Sequence, residues 1–314
     1  MPSGKMPYAI GKDENSMEQK IETAAFGTTK NQETVRLFHI PNNTNDYIEV
    51  SSYGCTIKSI CVHNRKGVLQ NLLRGFDTLA EYETSDAGIG AVLGSCTPTG
   101  QVSPLIHKVW DVADVGSNFI FLSCRVTAEE CGCGCGLAMG ARIMWVNLNR
   151  LVIDLYLTPE KDLSLHCACK LPFALTEDHT LEHYVVRTFC PRKLSPDGRS
   201  ESVSGTAYGD LAFQPLGKEP EVFVYDDENM KPMAELANTE AGMTISAYGT
   251  MPSIEVIPDA ALGCVSLNQA LMENVSLKAG ESFTSRVIYG FDRLYTKEEM
   301  ENPEPSPFGA FCSC

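Results

Sequence analysis

Short segments that alternate hydrophobic and polar residues, each ending at a turn sequence, run through most of the chain and limit the folds that it can adopt. The first three are Val35–Ile40, Tyr47–Val50 and Cys55–Val62, bounded by Asn, Gly or Lys-Gly. A period of two is typical of half-buried β-strands, because successive side chains point to opposite faces of a sheet. Further segments of this kind are Phe119–Val126, Ala141–Val146, Leu151–Leu157, Tyr184–Phe189, Val222–Tyr225, Met243–Ala247, Ser253–Ile257 and Phe283–Phe291.

Helical patterning is clear only at Asp77–Glu83. One short helix cannot cover the faces of a parallel sheet, so the pattern excludes an α/β fold. The sequence therefore predicts an all-β sandwich.

The chain is predicted to consist of one large β domain between two polar ends. Residues 1–33 have little periodic hydrophobic content and are predicted to be a flexible leader. Residues 34–294 contain the strand pattern without a Pro- or Ser-rich linker, and their length suits one domain. Residues 295–314 are predicted to be an acidic, proline-rich tail.

The charge of the chain restricts its partners. Forty Asp and Glu against 25 Lys and Arg leave a formal net charge of −15, so nucleic acid and anionic membrane surfaces are not expected to bind. We find no stretch with the hydrophobic length of a signal peptide or a membrane span. A cytoplasmic protein that binds a small molecule is the expectation.

The thirteen cysteines are predicted to be mostly buried free thiols, because their number is odd and many stand singly in hydrophobic segments. Cys131, Cys133 and Cys135 alternate with glycine, and a zinc or copper(I) site was considered for them. Zinc sites typically use Cys pairs separated by two to four residues, whereas alternation with glycine suits a turn. The sequence therefore predicts neither a metal nor a cofactor.

Several stretches, taken in order, resemble the aldose 1-epimerase (galactose mutarotase) family. Two examples are the family's "YGATI" strand and its "LGFDTLEEY" segment, and together the matches extend over residues 30 to 294. The stretches are Tyr53–Ile60, Leu73–Tyr82, Ser195–Thr206, Val224–Asp226, Leu277–Glu281 and Val287–Phe291. The resemblance implies a β-supersandwich of two large antiparallel sheets with an open concave face, and cofactor-free isomerisation of a sugar.

The resemblance also implies roles for three residues. Asp162–Leu171 occupies the place of the family's "NHSYFNL" strand, which puts His166 at the position of the histidine that acts as the acid. His107 would be the second histidine near the ring oxygen, and Asp226 would accept hydrogen bonds from sugar hydroxyls. Structural alternatives are a core histidine at 166, a surface histidine at 107 and a turn aspartate at 226.

Two family motifs are altered. Where the family has the sugar-contacting Asn and Arg of "GR.ANRI", this chain has Gly94–Thr99, so Ser95 and Thr97 become the candidate substrate-binding residues. Where the family has the catalytic glutamate of "LE.Q", this chain has Cys264–Leu271, which offers no acid at either plausible register, and an amide is not a base at neutral pH. Asn268 and Glu255 are added to the candidate substrate-binding residues. The acids that could fill this gap are Glu255, Asp259 and Glu273.

The sequence thus predicts a cofactor-free isomerase that transfers protons on a sugar or another small cyclic, hemiacetal-like substrate. Loss of Arg and Asn from the expected pocket makes it more apolar, which leaves an isomerase or cyclase of a non-sugar metabolite as an alternative. A non-catalytic binder of carbohydrate or another small molecule is the third hypothesis.

Overall fold

The computed structural model describes residues 20–64, 66–97, 101–178, 180–227, 229–271 and 276–293. The first strands in chain order are β1 (Glu22–Thr28), β2 (Thr34–Pro41), β3 (Tyr47–Ser51), β4 (Thr56–His63), β5 (Leu69–Asn71), β6 (Ser95–Thr97), β7 (Asp111–Val115), β8 (Phe119–Val126), β9 (Leu137–Val146), β10 (Arg150–Pro159), β11 (Leu163–Ser164) and β12 (His166–Ala168). The strands that follow are β13 (Pro172–Phe173), β14 (Tyr184–Thr188), β15 (Arg192–Leu194), β16 (Ser200–Ser202), β17 (Gln214–Pro215), β18 (Glu221–Val224), β19 (Lys231–Asn238), β20 (Met243–Gly249), β21 (Ser253–Asp259), β22 (Cys264–Leu271), β23 (Ser276–Leu277) and β24 (Phe283–Arg293).

Within these residues the strands form three large sheets. The five-stranded sheet has the order β1-β2-β3-β4-β5, and the nine-stranded sheet has the order β17-β14-β19-β20-β24-β10-β9-β8-β7. The eight-stranded sheet has the order β16-β15-β18-β21-β22-β12-β6, with β13 also pairing with β22, and β11 pairs with β23. Neighbouring strands run antiparallel, as in the pairs β21-β22 and β12-β22. The prediction of an all-β fold built from large antiparallel sheets is confirmed.

Helical structure in the described residues is short. Helix α1 (Leu79–Thr84) lies where the sequence predicted a helix, and α2 (Ala128–Cys131) follows β8. Each begins with a capping box, in which a threonine and a glutamate three residues later satisfy each other's backbone N–H groups. A 3₁₀-helix occupies Pro104–His107. No helix among the described residues has both the length and the hydrophobicity needed to cross a membrane.

The first sheet begins earlier than the strand pattern suggested. Strand β1 lies within the segment predicted to be a leader and pairs along β2, from Glu22 opposite His39 to Thr28 opposite Thr34. It contains two consecutive alanines and a glycine, so the alternation that marks the other strands is weak there. Residues 295–314, the predicted tail, lie outside the described residues.

One hydrophobic cluster joins the three large sheets. Its members include Phe38, Ile48 and Ile60 from the five-stranded sheet, Trp145, Leu155 and Tyr289 from the nine-stranded sheet, and Cys167, Phe223 and Leu267 from the eight-stranded sheet. Phe173 contacts two aromatic rings of β24, with ring centroids 5.2 Å from Tyr289 and 6.0 Å from Phe291. This packing fixes the position of the eight-stranded sheet against the nine-stranded sheet.

The cysteines that the structure describes are all buried and carry free thiols, as predicted. Cys167 and Cys96 are cross-strand partners, and their Sγ atoms lie 2.9 Å apart in the core. Cys133 donates its thiol hydrogen to the carbonyl oxygen of Cys96. Among the described residues, no group of three or more His, Cys, Asp or Glu side chains is arranged to hold a metal ion.

The hydroxyl of Tyr289 connects the two largest sheets. It donates a hydrogen bond to the carbonyl oxygen of Leu267 on β22, and the Tyr289 side chain is fully buried. We expect Tyr289→Phe to lower the free energy of unfolding by about 1–2 kcal/mol, because a buried carbonyl loses a partner. Urea denaturation measures this change.

Tyr156→Phe is the matched control, because Tyr156 lies on the opposite face of the nine-stranded sheet and is only partly buried. It is expected to change the free energy of unfolding by less than about 0.5 kcal/mol. Equal effects of the two substitutions would contradict a stabilising role for the hydrogen bond between the sheets.

Candidate functional site

The candidate site lies on the face of the eight-stranded sheet that points away from the core. Along β12 and the residues after it, Cys167 and Cys169 are fully buried in the core, whereas His166 and Lys170 are partly exposed. Because strand side chains alternate between faces, residues 166, 168 and 170 share the outer face.

Strand register brings the neighbours of this face together. Ala168 pairs with Ala270, and Pro172 pairs with Ser266 on the same strand. Counting inward from these two pairs, Lys170, in the segment between β12 and β13, falls opposite Asn268. Asn268 in turn pairs with Glu255 on β21. Directly opposed residues point to the same face with Cβ atoms about 4.5–5.5 Å apart. Lys170, Asn268 and Glu255 therefore form one row across three strands.

The imidazole of His166 is hydrogen-bonded at both nitrogens. Nε2 lies 2.9 Å from Oε1 of Glu255, and Nδ1 lies 2.9 Å from Oγ of Ser95. The side chain of His166 is 12% exposed and that of Glu255 is 17% exposed. The pair is thus held by protein atoms on most sides and keeps a small exposed fraction.

The second carboxylate oxygen of Glu255 is held by Asn268. The Nδ2 atom of Asn268 donates to Oε2 of Glu255 over 3.2 Å, and the carboxylate acceptor sets the orientation of the amide. The other amide atom, Oδ1, is buried and has no hydrogen-bond partner among the described residues. An acceptor in this state can take a hydroxyl hydrogen from a bound molecule.

Small side chains make room for the His166–Glu255 pair. Ala168, Ala270 and Ser253 are level with one another on three adjacent strands. His166 lies two residues before Ala168 and Glu255 two residues after Ser253, so the contact between them runs diagonally across this level. Methyl side chains at positions 168 and 270 leave the imidazole free to meet the carboxylate. Larger residues there would stand between the two groups.

The hydrogen bonds of His166 suit proton transfer. With Glu255 ionised, the neutral imidazole carries its hydrogen on Nε2 and accepts the Ser95 hydroxyl hydrogen at Nδ1. When the ring is protonated, Nδ1 donates to Ser95 Oγ instead. The hydroxyl can rotate to satisfy either form, so the ring can gain or lose a proton without leaving an unpaired nitrogen.

Ser95 and Thr97 lie on β6, beside β12. Thr97 pairs with His166 and Ser95 pairs with Ala168 across the two strands, which places both on the face of the site. Thr97 donates its hydroxyl hydrogen to the carbonyl oxygen of Gln101 over 3.2 Å. Ser95 thus contacts His166 directly, whereas the Thr97 hydroxyl is hydrogen-bonded to the backbone of Gln101.

The acids proposed to replace the family's glutamate have different surroundings. Glu255 contacts His166, as described above. The Asp259 carboxylate accepts the backbone N–H groups of Ala261 and Leu262, which closes a turn at the end of β21. Glu273 lies outside the described residues.

His107 has its own set of partners. Its Nδ1 lies 3.1 Å from the Tyr53 hydroxyl, and its Nε2 lies 3.0 Å from Oδ1 of Asp86, whose side chain is 96% exposed. It ends the 3₁₀-helix of residues 104–107. The contacts of His107 therefore differ entirely from those of His166.

Asp226 follows β18 at the surface. Its carboxylate lies 3.3 Å from Nη1 of Arg192, and its side chain is 72% exposed. A surface ion pair of this kind is weak, so the aspartate is free to exchange partners. On the eight-stranded sheet, β18 is separated from the strand of His166 by β21 and β22.

Lys170 is a site residue that the sequence analysis missed. A Cβ atom on Gly94 would lie 2.8 Å from Cγ of Lys170, so the lysine side chain runs directly over this glycine, next to Ser95. Burial lowers the pKa of the Lys170 ammonium, and the negative charge of Glu255 partly opposes that effect. The spacing 166, 168, 170 in a predicted strand was the signal that could have identified it.

Solved structures with the same fold are known. Those similar to this chain include a GalM/aldose epimerase homologue from C. elegans, with a TM-score of 0.72 and 15% identity over 82% of this chain and 99% of the other. Another is galactose 1-epimerase from Lactobacillus acidophilus NCFM, with a TM-score of 0.73 and 14% identity over 88% of this chain and 100% of the other. A galactose mutarotase-like protein from Clostridium acetobutylicum has a TM-score of 0.63 and 9% identity over 88% and 99% of the two chains.

No protein-family model and no curated relative matches the sequence. The structural similarity covers more than four-fifths of the chain, so the fold is that of the galactose mutarotase-like β-sandwiches. The resemblance to aldose 1-epimerases inferred from the sequence motifs is confirmed at the level of the fold.

Lys170 and Lys278 are expected to titrate on opposite sides of the usual lysine value of 10.5. Burial lowers the pKa of Lys170, whereas the hydrogen bond to Asp162 raises the pKa of Lys278. Competitive labelling with acetic anhydride at a series of pH values, read by mass spectrometry, measures both amines in one sample. A higher apparent pKa at Lys170 than at Lys278 would contradict the environment described for the site.

Proposed function

We propose that the protein is a cofactor-free isomerase that interconverts the anomers of a cyclic hemiacetal, such as a sugar, by proton transfer on the outer face of the eight-stranded sheet. The observation that carries this proposal is the 2.9 Å contact between His166 Nε2 and Glu255 Oε1 at a partly exposed position. A histidine and a carboxylate in contact supply the acid and the base that the reaction needs.

Glu255 is proposed to replace the missing base. Asn268 lies in the stretch Cys264–Leu271 that resembles the family's glutamate motif, and Glu255 is its direct cross-strand partner on β21. Both side chains therefore point to the same face and their Cβ atoms are about 5 Å apart. A carboxylate at position 268 on β22 or at position 255 on β21 would therefore reach nearly the same part of this face. The Asn268 amide orients the carboxylate of Glu255.

In the proposed reaction, Glu255 removes the hydrogen of the anomeric hydroxyl while protonated His166 donates a proton to the ring oxygen. The O–H electron pair forms the C1=O double bond, and the C1–O bond of the ring breaks with its electrons going to the ring oxygen. Rotation about the C1–C2 bond and the reverse transfers then close the ring to either anomer. The His166–Glu255 hydrogen bond lets the proton return to the imidazole, so no cofactor is consumed.

Glu255→Gln and His166→Gln are each expected to lower the rate of mutarotation by about 10²–10⁴-fold, because each removes one partner of the proton transfer. Polarimetry or NMR with D-glucose and D-galactose measures the approach to anomeric equilibrium. His63→Gln is the matched control, since His63 and Asp46 form another histidine–carboxylate pair, 2.6 Å apart. Wild-type rates in both site variants would overturn the assignment, and saturable binding without acceleration in the wild type would identify a binder.

His107→Gln and Asp226→Asn are expected to reduce the same rate by less than about tenfold, because His107 contacts Tyr53 and Asp86 and Asp226 contacts Arg192, away from the His166–Glu255 pair. A separate effect on KM would assign substrate binding to the residue concerned. Loss of more than 10²-fold in kcat for His107→Gln would instead place this histidine among the proton-transfer groups.

A further inference from the structure

Lys170 brings a cation to the site that no described residue neutralises by contact. Its ammonium group makes no hydrogen bond and no ion pair with the described residues, although the side chain is only partly exposed. Glu255 is close enough to influence it electrostatically, but it does not form an ion pair with it. Partly buried ammonium groups are costly without a partner, so this arrangement favours a negatively charged ligand.

The position of Lys170 directs its charge to the reaction centre. The register sets it opposite Asn268, in the row that ends at Glu255, and its stem lies on Gly94 beside Ser95. The orphan Oδ1 of Asn268 lies in the same row and can accept a hydroxyl hydrogen. A cation, a hydroxyl acceptor and the His166–Glu255 pair are therefore adjacent on one face.

We propose that the substrate of this site is an anion, a cyclic hemiacetal that bears a carboxylate, and that Lys170 binds this carboxylate and determines specificity. The inference rests on the proposed function for the reaction at the hemiacetal, while the carboxylate contact concerns binding. One lysine supplies a single positive charge, which neutralises a carboxylate monoanion in full and a phosphate dianion only in part. With a net charge of −15, the protein attracts anions only where such a local cation is present.

The test compares D-galacturonate with D-galactose, which share the pyranose ring and differ at C6 by a carboxylate against a hydroxymethyl group. Equilibrium binding is measured by NMR titration and mutarotation by NMR line integration, for the wild type, Lys170→Met, Lys170→Arg and the control Lys278→Met. Lys278 is an exposed lysine paired with Asp162, so its substitution makes the same charge change elsewhere. Thermal unfolding and circular dichroism verify that each variant is folded.

The wild type is expected to prefer galacturonate at least tenfold in Kd and in kcat/KM. Lys170→Met should remove this preference by weakening the binding of galacturonate at least tenfold more than the binding of galactose, while Lys170→Arg and Lys278→Met should retain it. Equal affinity of the wild type for both sugars, or an unchanged preference in folded Lys170→Met, would overturn the proposal. Tighter binding of galactose 6-phosphate than of galacturonate would also overturn it, in favour of a phosphate.

The binding measurements test the carboxylate site separately from the isomerase activity. Lys170-dependent binding of galacturonate without turnover of either sugar would support the carboxylate site and refute the isomerase. Turnover of both sugars at equal kcat/KM would support the isomerase and refute the carboxylate site. Glu255→Gln provides an internal check, because it is expected to remove turnover while the preference in Kd remains.

Discussion

The antiparallel register of β12, β22 and β21 is the constraint on which the site depends. Each strand has a hydrophobic side packed in the core, so a shift of one residue would turn every side chain to the opposite face. With the observed pairs, Ala168 opposite Ala270 and Asn268 opposite Glu255, the polar residues of three strands reach one surface. Core packing on one face thus determines which groups meet on the other.

The loss of hydration that charged and polar groups suffer on partial burial explains the hydrogen bonds found on this surface. A partly buried carboxylate is tolerated only if hydrogen bonds replace its hydration. Glu255 receives them from His166 and Asn268, one at each oxygen. Ser95 completes the set at the second imidazole nitrogen. Among the described residues, the Asn268 Oδ1 atom has no hydrogen-bond partner and the Lys170 ammonium forms no ion pair.

Much of the fold could be predicted because alternation is a local signal. Strand β8 has the predicted bounds, Phe119–Val126, and helix α1 falls within two residues of the predicted window. Strand β1 was missed because its alanines and glycine carry little alternation. His166 and Glu255 were both named as candidates from the sequence, but their contact joins residues 89 positions apart in the chain. Nothing in either segment alone specifies that partner.

The sequence by itself determined the all-β class and the opposite directions of His166 and Cys167, because each depends only on a period of two within one strand. Only the tertiary structure decided that β21 lies beside β22, and that Glu255 therefore stands opposite Asn268. Strand order and register result from long-range backbone pairing and core packing, which no single segment encodes. The identity of the carboxylate beside His166 is a property of that pairing.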